Sequence, residues 1–164
     1  MLIIILLFLA QINLLNTTPL FGVIPNVGIV FICAFGMSAG SSIGAAFGLS
    51  YGFLADIVFG RTFGIYTLLY LLIGVLSGFL NNKISKDNKL SLVLMVLIFT
   101  AFFEICTSII SVVLYKVDFN FLYLIKVIAI EEVYNMFLTY ILFRPFIYFG
   151  EMINRTRDSY YLLH

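Results

Sequence analysis

Long apolar runs with almost no charge inside them limit the folds open to this chain more than any other feature. The runs cover residues 2–15, 27–55, 63–80, 90–115 and 121–149. Of the 164 residues, 63% are hydrophobic and 10% are charged, whereas about 25% of residues are charged in an ordinary soluble protein. A helix that spans the hydrocarbon core needs about 20 mostly apolar residues. The sequence therefore predicts a polytopic membrane protein and excludes a soluble globular fold.

The second run, from Val27 to Ala55, is too long for one span, and it contains a cluster of Gly, Ser and Ala between Gly36 and Ser42. Such a cluster is typical of a turn between two short helices. We therefore predict an all-α, polytopic integral membrane bundle of six transmembrane helices, with five spans as the alternative. The predicted transmembrane domain covers residues 1–150, with spans near 2–15, 26–37, 42–58, 63–81, 90–115 and 125–149, followed by a short tail at 151–164.

Basic residues are concentrated in two places, namely Lys83, Lys86 and Lys89 in one short loop and Arg155 and Arg157 in the tail. Because cytoplasmic segments carry an excess of Lys and Arg, we expect both segments, and with them the C-terminus, to be cytoplasmic. Six spans place the N-terminus on the same side. The first fifteen residues lack the basic region and cleavage site of a secretory signal, so we expect them to form the first span.

The chain lacks the residues that common catalytic and metal sites require. Its one histidine is His164 at the tail, so no Ser-His, Cys-His or zinc-protease arrangement is expected. Cys33 and Cys106 lie in apolar runs, where cysteine usually packs as a small hydrophobic residue. The net charge of +1 gives no basic surface for nucleic acid. We therefore expect neither enzyme activity nor a bound cofactor or metal.

Glycine recurs every four residues through the second run and beyond it. Positions four apart lie on one helix face, where the absence of a Cβ lets another backbone approach closely. The pattern predicts a close-packing face, for which Gly74 and Gly78 in the next span are a plausible partner; a substrate groove or lipid-binding face is the alternative. The series consists of Gly36, Gly40, Gly44, Gly48, Gly52, Gly60 and Gly64, with Asp56 in the place between Gly52 and Gly60.

Few carboxylates lie within the apolar runs. Asp56 lies near the end of a span, where it is expected to cap the next segment, with a polar contact to a partner protein as the alternative. Glu104, Glu131 and Glu132 lie within spans, and such carboxylates usually point into a bundle or an aqueous cavity. Glu131-Glu132 lacks the Arg and the intramembrane histidines of the membrane proteases that process prenylated peptides.

The order of several motifs along the chain resembles that of the rod shape-determining protein MreD family of bacterial inner-membrane proteins. The resemblance extends from about Leu6 to Phe149. It departs at Glu131, a position where many members have proline. The motifs, in order, are Gln11, Pro25-Asn26, the series Gly44, Gly48, Gly52, Asp56, Gly60 and Gly64, and Glu132 with Asn135.

The resemblance implies a non-catalytic, multi-pass component of the cell-elongation machinery. Its implied partners are membrane lipid and a bitopic MreC-like protein, and through them the MreB filament and the peptidoglycan synthases. It also implies a six-helix fold similar to the substrate-binding subunits of energy-coupling-factor transporters. Glu104 and Glu131 motivate an alternative function, that of a small-molecule- or lipid-binding subunit of a transporter. In such a subunit, these carboxylates should converge on an outward-opening cavity.

Overall fold

The computed structural model describes residues 25–80 and 89–161 together with residues 5, 8, 9, 11–13, 22 and 23, and side chains as far as Arg144. The described residues of the N-terminal run, at 5, 8, 9 and 11–13, are helical. With the five helices that follow, they make six helical segments, and no β-strand occurs within these residues, so the predicted all-helical fold is confirmed. The five helices are α1 (Val27–Ala39), α2 (Ser41–Phe59), α3 (Ile65–Leu80), α4 (Lys89–Tyr115) and α5 (Phe121–Tyr161).

A single glycine separates α1 from α2. Gly40 has φ of +96°, a conformation that side chains with a Cβ rarely adopt. Its N–H donates to the carbonyl of Gly36 at 2.9 Å, and its own carbonyl accepts from the N–H of Gly44 at 3.0 Å, so both helix ends are satisfied. The long second run therefore forms two helices, with the turn inside the Gly, Ser and Ala cluster as predicted.

The helices differ in their capacity to cross a bilayer alone. Among the described residues, α2 and α4 are long enough and apolar enough to do so, and α1 and α3 are apolar but shorter. At about 1.5 Å per residue, α1 extends about 20 Å, less than the hydrocarbon core of about 30 Å. The count of six transmembrane spans remains a prediction.

The last helix is longer than the sequence predicts. It begins after Asn120, whose side-chain oxygen accepts from the N–H of Tyr123 at 3.1 Å, and it continues for 41 residues. The backbone has no break at the predicted boundary near residue 150, so the segment predicted as a tail continues α5 as far as Tyr161. Lys83 and Lys86 of the basic loop, and the side chains of Arg155 and Arg157, lie outside the described residues.

Helix α1 is the centre of the bundle. It contacts each of the other four helices, and all but two of its thirteen residues are buried. Helices α2 and α3 share the most extensive contact, and α4 pairs with α5. Because α4 contacts α3 only slightly, a cleft lies between α3 and the α4–α5 pair. The outer faces of α4 and α5 are apolar and exposed, as at Ile98 and Phe137, and form surfaces suited to lipid.

Candidate functional site

The glycine face of α2 packs against the backbone of α3. A Cβ on Gly48 would lie 2.7 Å from the carbonyl carbon of Tyr70, and one on Gly52 would lie 2.6 Å from the Cα of Thr67. Neither distance leaves room for a methyl group. These glycines, together with Gly44, therefore act in a contact between two helices of the same chain.

The contact between α2 and α3 is reciprocal. A Cβ on Gly44 would meet the carbonyl of Gly74, and a Cβ on Gly74 would meet the carbonyl of Gly44. Gly78 in turn has no room for a Cβ because the backbone of Ser41 lies against it. Gly74 and Gly78, which are four positions apart on α3, are therefore the partner of the α2 face, as predicted.

The outer members of the glycine series lie outside that face. Gly60 ends α2, and its N–H donates to the carbonyl of Asp56 at 3.0 Å. Gly64 has φ of +101° in the turn before α3, and a Cβ there would meet nothing within 4 Å. Gly36 belongs to α1, where a Cβ would meet the hydroxyl group of Ser77. The four-residue spacing thus continues through two helix ends without forming one continuous surface.

Asp56 joins the end of α2 to the start of α3. Its Oδ1 accepts from the N–H of Tyr66 at 3.0 Å, and its Oδ2 accepts from the N–H of Thr67 at 2.8 Å and from the Thr67 hydroxyl. The first turn of a helix has backbone donors without partners, and a carboxylate is well suited to them. With 3% of its surface exposed, Asp56 has little area left for another protein.

The Pro25-Asn26 motif connects the N-terminal segment, α1 and α3. Gln11 donates through Nε2 to the Pro25 carbonyl at 2.6 Å and accepts from the Val27 N–H at 2.9 Å. The side-chain oxygen of Asn26 accepts from the Ile29 N–H at 3.3 Å, which caps α1, and from the Tyr70 hydroxyl at 2.9 Å. All these bonds are within the chain, so the motif's described role is to fix the start of α1.

Two carboxyl groups meet in the bundle. The side chains of Glu104 on α4 and Glu131 on α5 are within hydrogen-bonding reach of each other, and Glu131 also contacts the backbone of Asn26 and the side chain of Asn135. Glu131 is 2% exposed. Since a carboxylate has no donor, a hydrogen bond between the two groups requires a proton on one of them.

Asn135 continues this polar cluster into the contact between α4 and α5. Its Nδ2 donates to the hydroxyl of Thr100 at 2.9 Å, and its backbone carbonyl accepts from the Thr139 hydroxyl at 2.6 Å. The side chain is fully buried, yet its Oδ1 has no hydrogen-bond partner. Of the buried side-chain atoms that the structure describes, this oxygen and the hydroxyl of Tyr134 are without a partner.

Glu132 differs from its neighbour Glu131 because it is only partly buried. It lies at the edge of the exposed face of α5, on the same side as Met136, which is four positions later. Among the described residues, its carboxyl group has neither a hydrogen bond nor an ion pair. The structure thus brings Glu104, Glu131 and Asn135 together and leaves Glu132 apart from them.

Three adjoining cavities lie along the cleft between α3 and the α4–α5 pair. The innermost, of about 170 Å³, is lined by Glu104 and Glu131 together with residues of the N-terminal segment, α1, α2 and α3. Cavities of about 340 Å³ and 380 Å³ lie beside it, and Tyr66 lines all three. They extend toward the turns at residues 60–64 and 116–120. The two carboxyl groups therefore converge on a cavity, at the end of the bundle opposite the predicted basic loop.

Sequence reasoning missed the hydroxyl groups that line the cleft. Thr107 and Ser111 lie three and seven positions after Glu104, which places the three residues on one face of α4. That spacing is visible in the sequence and is the signal that predicts a polar face. The two cysteines, Cys33 and Cys106, are free, with Cys33 buried in α1 and Cys106 partly buried in α4. The described residues contain no group of three metal-binding side chains.

Comparison with known proteins gives one family. The family model of rod shape-determining protein MreD matches residues 1–153, nearly the whole chain. No curated protein and no solved structure matches it, so the similarity to energy-coupling-factor subunits remains a prediction. The MreD family consists of bacterial inner-membrane proteins that act as structural components in cell shape and are not known as enzymes. Because the match covers the bundle and most of α5, this chain belongs to the MreD family of rod shape-determining proteins.

Proposed function

We propose that this protein is a non-catalytic component of the rod complex that directs cell elongation in the bacterial inner membrane. In this role it regulates cell shape and lateral peptidoglycan synthesis through contact with a bitopic MreC-like protein. The family match over residues 1–153 is the observation that carries the proposal. It also favours this function over that of a transporter subunit, the alternative drawn from the carboxylates.

The partner surface cannot be the glycine face of α2, because α3 already covers it. The outer face of α5 fits better. It exposes Val133, Phe137 and Tyr140, each by more than 60%, and the partly buried Glu132 lies at its edge. A carboxyl group on a lipid-facing helix is costly unless it meets a polar group. A transmembrane helix with a donor at this depth would satisfy Glu132 and cover the apolar side chains around it.

Co-purification and cell shape test this function. In a rod-shaped host, we expect depletion to produce round cells, and the MreC-like protein to co-purify with the tagged chain. The variant Glu132→Gln should reduce recovery of that partner. The control is Asp118→Asn, which makes the same carboxylate-to-amide change at an exposed residue in the turn before α5, outside this face.

Two results would count against the proposal. Rod-shaped growth in the absence of the protein would remove the function in elongation. Equal recovery of the partner with Glu132→Gln and Asp118→Asn would remove the α5 face as the contact while leaving the cellular function open to the depletion result.

We also propose that both termini are cytoplasmic, which follows from six spans and from the basic residues Lys89, Arg155 and Arg157. Single cysteines introduced at the N-terminus and at residue 118 provide the test, in a chain whose Cys33 and Cys106 have been replaced by Ala. A membrane-impermeant thiol reagent added to intact spheroplasts should label residue 118 and not the N-terminus. Labelling of the N-terminus would favour five spans.

A further inference from the structure

The innermost cavity of the cleft differs from the apolar packing around it. Its lining includes the carboxyl groups of Glu104 and Glu131 and the rings of Tyr66, Tyr70 and Phe103. Glu131 is almost fully buried, so this polarity lies deep inside a bundle whose surface is suited to lipid. The family assignment gives no occupant for this space.

Most donors around the cavity are already engaged within the chain. The Gln11 amide donates to the carbonyl of Pro25, and the Tyr70 hydroxyl donates to the side-chain oxygen of Asn26. Of the hydroxyl groups on the α4 face, Thr107 donates to the carbonyls of residues 103 and 104, one turn earlier on its own helix. The carboxyl groups of Glu104 and Glu131 add acceptors to the wall of this cavity.

A buried amide oxygen without a partner lies close to the carboxyl pair. Asn135 contacts the carboxyl of Glu131, and its own Oδ1 is buried without a hydrogen-bond partner. A buried acceptor without a donor costs about 1–3 kcal/mol. Asn135 does not line the cavity, so the groups there that can accept from a donor outside the chain are the two carboxyl groups.

The walls of the cavity indicate the charge of that donor. Tyr66 and Phe103 present aromatic rings to the same space as the carboxyl groups, and aromatic faces attract cations. A positive group with several N–H donors would satisfy both carboxyl groups and lie against these rings. A neutral hydroxyl compound offers only one donor and no charge.

The size of the cavities indicates the shape of the ligand. The inner cavity of about 170 Å³ is smaller than usual ligand pockets of about 300–1,000 Å³. Through Tyr66, Phe103 and Glu104 it shares its wall with the neighbouring cavity of about 380 Å³. Together they suit a compound with a compact polar head and a larger body.

From this geometry we propose that the cleft binds a small amphiphilic amine, whose ammonium group lies between Glu104 and Glu131 and whose body fills the adjoining cavity. On binding, the proton shared by the two carboxyl groups is released to water, and the ammonium group donates to both carboxylates and packs against the ring of Tyr66. This site is separate from the partner surface on α5, because Glu131 faces the bundle interior and Glu132 faces outward. It holds whether or not the α5 face binds the MreC-like protein.

The test uses the full chain in lipid nanodiscs, with benzylamine as the probe and benzyl alcohol as its neutral match. Isothermal titration should show saturable binding of benzylamine, above the heat given by empty nanodiscs, and no saturable binding of benzyl alcohol. We expect Glu131→Gln and Glu104→Gln each to weaken benzylamine binding at least tenfold. Glu132→Gln, which removes the carboxyl at the next position of the same helix, should leave the affinity unchanged.

Three results would overturn the proposal. They are equal binding of the amine and the alcohol, equal affinity of the Glu131→Gln and Glu132→Gln proteins, and absence of saturable benzylamine binding to the unmodified chain. If Glu131→Gln fails to fold, Glu104→Gln carries the comparison, because Glu104 is less buried than Glu131 and lines both the inner cavity and its neighbour.

Discussion

Replacement of Gly48 by alanine tests the close contact between α2 and α3. The added Cβ would lie 2.7 Å from the carbonyl carbon of Tyr70 and closer still to its oxygen, whereas ordinary contacts begin at 3.4 Å, so the helices must separate there by more than about 0.7 Å. Overpacking of this kind costs about 1–3 kcal/mol. Alanine also favours the helix over glycine by up to about 1 kcal/mol. We therefore expect Gly48→Ala to lower the free energy of unfolding by about 1–2 kcal/mol.

Titration with SDS in mixed micelles, followed by circular dichroism, measures this free energy. The matched control is Ala46→Leu, which adds a larger group on the exposed side of α2 and should change stability by no more than about 0.5 kcal/mol. A Gly48→Ala protein as stable as the unmodified chain would show that the helices accommodate a methyl group. The small-residue explanation of the glycine series would then be wrong.

Three further sets of variants test other contacts by the same unfolding measurement. Asp56→Asn should cost about 1 kcal/mol and Asp56→Ala about 2–3 kcal/mol, because alanine leaves two buried N–H groups of α3 without an acceptor; equal losses would indicate that the charge matters more than the cap. Gly44→Ala and Gly74→Ala should be non-additive by at least about 0.5 kcal/mol, since either one already separates the helices. Thr100→Val should cost about 0.6 kcal/mol, and nothing further once Asn135 is changed to Leu; additive losses would mean that the two side chains act independently.

The helices were well predicted from the sequence because, in this chain, the lipid bilayer rather than tertiary contact requires the backbone to be helical. Apolar runs predict helices in lipid directly, since the backbone must satisfy its own hydrogen bonds there. The turn at Gly40 was also predictable, because a run too long for one helix contained a cluster of small residues. The length of α5 was not, because the composition near residue 150 changes from apolar to charged while the helix continues to Tyr161.

The glycine series shows where periodicity misleads. Seven positions share one register in the sequence, but a face exists only while the helix continues, and Gly40 and Gly60 lie at helix ends. The periodicity of the sequence could not predict contacts between residues that are far apart along the chain. The bonds of Gln11 to Pro25 and of Tyr70 to Asn26 depend on how helices meet, and nothing in the local pattern specifies that meeting.

The distribution of contacts divides the bundle into two parts. Helices α1, α2 and α3 meet through glycines and capped helix ends, so their backbones cannot separate without loss of many contacts at once. The α4–α5 pair contacts α3 only slightly, and the cleft lies along that boundary. A partner on the outer face of α5 and an amine in the cleft would therefore act on the same helix pair, at the adjacent residues Glu132 and Glu131. Because coupling between two binding sites is reciprocal, any change that the partner makes in amine affinity must equal the change that the amine makes in partner affinity.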